Sequence, residues 1–204
     1  MDGLEDALRH LRVSQSTVVA IDTEGTTRTG GIREIAAVVL GSDDGAAFYE
    51  IVTRQSQNAA PLDARRTWAT VGVRFWAWLA SVAPAGDVVC VMHNGACHDV
   101  PLIERDTRLH CPAAPTSAFG TPRLRVVDSL ELVRKHLVDV KKRDLASVYE
   151  ALFGAPPAKR HTALADARAL ASILLHERVY AHIIPSSAVW APAGGTKNYL
   201  SKRA

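Results

Sequence analysis

The chain has 204 residues, 48% of them hydrophobic, with 24 Lys+Arg against 21 Asp+Glu and a net charge of +3 at pH 7. That balance excludes a wholly disordered chain and fits one domain, and no apolar run approaches the ~20 residues a membrane-spanning helix needs. The first residues, MDGLEDALRHLR, carry acids and no apolar stretch, unlike a secretory leader, and Cys90, Cys97 and Cys111 form no C-x-x-C pair, which suits a reducing, intracellular compartment.

Leu4, Ala7, Leu8 and Leu11 have helical spacing, which predicts a leading helix over residues 2–12. TVVAID, residues 17–22, is a short β-branched run and reads as a buried strand. GTTRTGG, residues 25–31, reads as a turn. Strands are predicted over 32–40 and 46–53, with GSDDG between them as a hairpin turn. Residues 54–64 read as a loop and 65–80 as a helix rich in aromatics. Trp68, Trp76 and Trp78 read there as packing residues.

DVVCVM, residues 87–92, is another buried strand, and a helix opens near Asp99. After a proline-rich loop over 111–123 come a strand, 124–128, and the helix SLELVRKHL. Residues 143–153 and 162–178 read as two further helices, and the Gly-, Pro- and Ser-rich stretch over 179–204 as a tail. Strands linked by hairpins and then alternating with helices describe an α/β domain over 1–178, a mixed sheet flanked by helices.

Chemistry-bearing residues occur at three places. Asp22 and Glu24 are two apart at a strand end, so their carboxylates share a face, the donor type that Mg²⁺ and Mn²⁺ prefer. Asp99 follows the buried strand 87–92, where HNGACHD opens a helix. His161 and Asp166 flank the start of the last helix. Five helical positions rotate about 140°, so His161 meets Asp166 only from the preceding loop, where an imidazole suits a general base. Singly, these groups also read as a solvated strand end, a first-turn acid and a surface or capping histidine. Four carboxylates and one histidine in this order are poorly explained that way.

In that order the sequence resembles the DEDDh branch of the DnaQ-like 3′–5′ exonucleases. VVAIDTEGT is similar to the first exonuclease motif, VMHNGACHDVPLI to the second and HTALADARAL to the third. RDLASVYEALFGAPPAKRH most resembles the TREX-type subgroup. His98 stands where the second motif has an aromatic, and Gly25-Thr26-Thr27-Arg28 where the family carries an apolar wedge.

The resemblance implies an RNase H-like fold with a five-stranded mixed sheet and two-metal hydrolysis of phosphodiesters from a 3′ end, releasing nucleoside 5′-monophosphates. Asp22, Glu24, Asp99 and Asp166 would hold two Mg²⁺, with Mn²⁺ as a substitute, and His161 would take the proton of the attacking water. Thr23, Gly25, Thr26, Arg28 and Asn94 become candidate substrate contacts. Lys159 and Arg160 flank the histidine, and Arg123, Arg125, Lys141, Lys142 and Arg143 offer a basic rim, with Asp128 and Asp139 among them. Single-stranded DNA is the substrate the TREX-like stretch favours, RNA trimming the alternative, a silent nucleic-acid-binding module a third reading, and a homodimer a further implication.

Overall fold

The structure, a computed structural model, describes residues 16–26, 30–42, 46–53, 64–84, 86–111, 119, 124–158, 161–180 and 182. The predicted leading helix and almost all of the predicted tail lie outside them. Five strands, β1 Ser16–Thr26, β2 Gly31–Val39, β3 Ala47–Ile51, β4 Asp87–Met92 and β5 Leu124–Asp128, form one sheet in the order β3-β2-β1-β4-β5. The β1–β2 and β2–β3 pairs are antiparallel, the β1–β4 and β4–β5 pairs parallel. β1 is central, and Val18, Val19, Ala20 and Ile21 are all buried, as a strand covered on both faces requires.

Helices α1 Trp68–Ser81 and α2 Asp99–His110 cover one face. There Val19, Ile21, Cys90 and Met92 meet Val71, Phe75, Leu102 and Ile103. Trp68 and Trp76 are buried in this layer and Trp78 packs against it, as packing residues should. On the other face Ala20, Val89, Val91 and Val127 meet α3 Ser129–His136, α4 Leu145–Phe153, α5 Ala163–Leu175 and α6 Glu177–Tyr180. Among the described residues the three cysteines are free, Cys90 and Cys111 buried and Cys97 exposed. No described helix is long and apolar enough to cross a membrane.

Several boundaries depart from the sequence expectation: the aromatic helix begins at Trp68, after a separate 3-10 turn over Ala64–Arg66, and β3 is shorter than expected, Ala47–Ile51. β1 runs on to Thr26, because the ladder with β2 continues through Glu24↔Glu34, shifts register once, and resumes at Gly25↔Ile32. α4 begins at Leu145, since Asp144 is its cap and accepts the Ser147 N–H at 3.1 Å. The last predicted helix breaks at His176, whose backbone is extended (φ −69, ψ 137) and whose ring meets Phe153 edge-on.

The carboxyl ends of the parallel strands β1, β4 and β5 gather on one rim, the end at which open α/β sheets hold their ligands.

Candidate functional site

Strand alternation aims Asp22 and Glu24 at the α5 face and Thr23 at the opposite one. Asp166 stands in the first turn of α5. That helix comes close to the sheet because the residues between them are small: Ala36, Ala163 and Ala167 are fully buried against one another. The approach brings carboxylate oxygens of Asp22, Glu24 and Asp166 within 4.8 Å of one another.

The cluster is electrostatically uncomfortable by itself. Burial, then the charges of Asp99, Asp166, Glu24 and Glu34, push the Asp22 carboxyl up to about 9. Near neutral pH that carboxyl keeps its proton unless a cation replaces it. Three converging hard oxygen donors fit a divalent cation of the Mg²⁺ or Mn²⁺ type. Among the described residues Arg33, exposed and 3.9 Å away, pairs with Glu24 at a distance at which solvent leaves little attraction.

Asp99 is the first residue of α2 and is buried. Its Oδ1 accepts the Thr23 backbone N–H at 2.9 Å and the Thr23 hydroxyl at 2.6 Å. Burial raises its carboxyl to about 6, against the Thr23 bonds and the His98 charge, which favour the ionised form. It therefore stands behind Asp22 rather than within the group of three. Thr23, a candidate substrate contact by sequence, is buried and directs its hydroxyl to Asp99.

His161 lies outside the helix, exposed, in a left-handed conformation (φ 63), and Thr162 caps α5 by accepting the Ala165 N–H. The loop position that the helical rotation demanded is thus the observed one. Gly25 is required for space: a Cβ there would sit 2.4 Å from the Gly31 carbonyl oxygen. Thr26 ends β1 opposite Gly31. Arg28, Lys159, Arg160 and Arg123 lie outside the described residues. Arg125 leaves the expected rim, since it pairs with Asp87 at the other end of the sheet, 2.6 Å away. Lys141, Lys142 and Arg143 are exposed.

Asn94 is exposed with φ 58, in the loop that carries the chain from β4 to Asp99. Asp128 holds that loop: its carboxylate accepts the N–H groups of Asn94 at 2.8 Å and Ala96 at 3.2 Å, and caps α3 through Leu130 at 2.9 Å. His93 supports it from the side, with Nε2 2.7 Å from the Arg143 carbonyl and Nδ1 2.9 Å from the Ser129 hydroxyl. The carbonyl only accepts, so Nε2 carries the proton and Nδ1 accepts from Ser129. The sequence reading assigned no site role to Glu34, Asp128 or His93. Asp-Ser at a strand end was a capping signal for Asp128. For Glu34 the signal was a lone acid inside the apolar run IREIAAVVL.

No family model matches the chain, and no curated protein matches it. Solved structures do. One is a 3′-exonuclease that recognises the 3′ end of the histone mRNA stem-loop (TM-score 0.60, 14% identity, 79% of this chain and 63% of that one). Another is exonuclease I (TM-score 0.62, 14% identity, 83% and 42%) and a third a full-length 3′-exonuclease (TM-score 0.58, 15% identity, 78% and 59%). The chain spans less than two thirds of the length of each. At these identities the likeness is one of fold, and it places the mixed five-stranded sheet and its helices in the RNase H-like fold that these exonucleases share.

Proposed function

We propose that the chain is a metal-dependent 3′–5′ exonuclease that hydrolyses phosphodiester bonds and releases nucleoside 5′-monophosphates. The observation that carries the reading is the convergence of the Asp22, Glu24 and Asp166 carboxylates within 4.8 Å, with Asp99 buried behind them. The resemblance of the three sequence motifs and the exonuclease fold support it. Asp22, Glu24 and Asp166 would hold a divalent cation, and Asp99 and Asp22 would support a second. Bound cations of this kind neutralise charge on the phosphate and acidify the attacking water. His161, exposed on its loop, would take a proton from the attacking water and release it to solvent. Thr23 keeps Asp99 oriented. Gly25 and Thr26 let the substrate approach the end of β1 closely, with Asn94 and Arg28 as further contacts.

Single-stranded DNA is the proposed substrate, on the TREX-like stretch before the third motif. An RNA 3′ end is the second reading, because one structural neighbour recognises the 3′ end of an mRNA stem-loop. A homodimer through an exposed sheet edge, which the resemblance implies, is part of the same proposal, tested by sedimentation at several concentrations.

The deciding experiment incubates end-labelled single strands, as DNA and as RNA, with Mg²⁺, Mn²⁺ or EDTA. The expected result is a metal-dependent ladder that shortens from the 3′ end, faster on DNA. Faster loss of RNA moves the assignment to RNA trimming. Binding without digestion leaves a nucleic-acid-binding module.

A further inference from the structure

Glu34 stands in β2 directly opposite Glu24, and Ala36, two residues on, stands opposite Asp22. Glu34 therefore looks towards α5, the helix that Ala36 packs against. Its Oε2 accepts the N–H of Ala163 at 3.2 Å, across 129 positions of sequence. Desolvation, and then the same carboxylate, raise the pKa of the Tyr49 phenol on β3.

Ala163 is the first residue of α5, and its N–H has no partner within the helix. Thr162 satisfies a second such group, that of Ala165. A local cap and a strand residue thus hold the same helical turn. His161 precedes Ala163 by two residues and has φ 63, a conformation that a non-glycine residue keeps only where its surroundings hold it. Asp166 follows Ala163 by three residues. One anchored N–H sits between the candidate base and a candidate ligand.

We infer that Glu34 is a positioning residue of the nuclease site, pinning the first turn of α5 to β2 and so setting His161 and Asp166 against Asp22 and Glu24. The inference rests on the nuclease reading above. Glu34 is not one of the three carboxylates that converge, and its Oε2 is already engaged. An acid suits the role better than a neutral acceptor because a helix amino terminus favours negative charge.

The test compares Glu34→Ala, Glu34→Gln and Ala163→Pro with the wild-type chain. Proline is tolerated at the first helical position and removes the N–H that Glu34 holds while leaving Glu34 in place. Three quantities are read: kcat and KM on a single-stranded oligonucleotide, Mn²⁺ affinity by calorimetry, and Tm. For Glu34→Ala we expect kcat and Mn²⁺ affinity each to fall about 10–100-fold, the range for residues that orient metal ligands, with KM nearly unchanged. Glu34→Gln should recover most of the loss, since its amide oxygen accepts the same N–H. Ala163→Pro should reproduce the kcat loss; its ring enters the buried contact with Ala36 and Ala167, so kcat is compared only where Tm shows the variant folded, and Glu34→Gln, which adds no bulk, covers a variant that fails to fold.

Normal kcat and Mn²⁺ affinity in both Glu34→Ala and Ala163→Pro would overturn the inference. So would a glutamine variant as impaired as alanine beside a normal Ala163→Pro, which would make Glu34 a ligand. Both results leave the nuclease reading standing. A wild-type chain that neither digests nor binds Mn²⁺ overturns the nuclease reading itself and this inference with it.

Discussion

Asp99 and Thr23 are joined twice: one carboxylate oxygen accepts both the backbone N–H and the hydroxyl of the residue between Asp22 and Glu24. The pair locks the start of α2 to the end of β1 from the face opposite the carboxylate cluster. It also explains how an acid can be buried here, since hydrogen bonds to the ionised form offset part of its desolvation.

Thr23→Val keeps the shape and removes the shorter of the two bonds. A hydrogen bond to a charged group contributes about 1.5–3 kcal/mol, so urea unfolding at pH 8 should show a loss of that order. The lost bond favoured the carboxylate, and Asp99 in the fold takes up its proton near pH 6. The loss should therefore shrink as pH falls from 8 to 5. An equal loss at both pH values would mean that Thr23 stabilises by packing alone.

Asp166→Asn keeps the helix and its cap but removes one of three converging charges. Turnover on the labelled oligonucleotide should drop by about 10²–10³-fold, the scale for losing a group that stabilises transition-state charge. Circular dichroism and Tm should stay close to wild type. Undiminished digestion would remove Asp166 from the site.

Metal-free stability should fall as pH rises. In the fold the Asp22 carboxyl keeps its proton up to about 9, whereas in the unfolded chain it ionises near its ordinary 3.8. Between those values the folded state binds the extra proton, so stability present at low pH is lost through this window. Thermal melts in EDTA from pH 5 to 9 should show Tm declining, and Asp22→Asn should flatten the decline. Mg²⁺ at 100 times its Kd should restore about 2.7 kcal/mol in the wild type and much less in the variant. A flat metal-free profile would show that the cluster is not strained by its own charge.

Asp128→Ala should be costly to stability although Asp128 is not among the converging carboxylates. Three N–H groups, those of Asn94, Ala96 and Leu130, lose their acceptor together. A lost cap of about 1 kcal/mol and two lost hydrogen bonds to a charged group, each about 1.5 kcal/mol in this exposed loop, amount to about 4 kcal/mol, a Tm fall of roughly 8–16 °C. Differential scanning calorimetry checks it, and Asp128→Asn should lose less. An unchanged Tm would mean that the loop before Asp99 holds its shape without Asp128.

The sequence alone determined what is local. Strand alternation put Asp22 and Glu24 on one face, and short apolar runs with the GSDDG turn between two of them marked the five strands. The rotation of a helix placed His161 on a loop before Asp166. These are short-range consequences of backbone geometry, and the structure shows each of them. Tertiary structure decided what depends on partners far along the chain. It set β1 in the middle of the sheet, turned Thr23 towards Asp99 and let three alanines bring α5 down onto β2. It also gave Ala163 its acceptor in Glu34, 129 positions away. Periodicity carries no information about which strand becomes a neighbour or which buried acid meets which donor. Those pairings follow from how two core layers close over one sheet, and that closure decides which carboxylates converge.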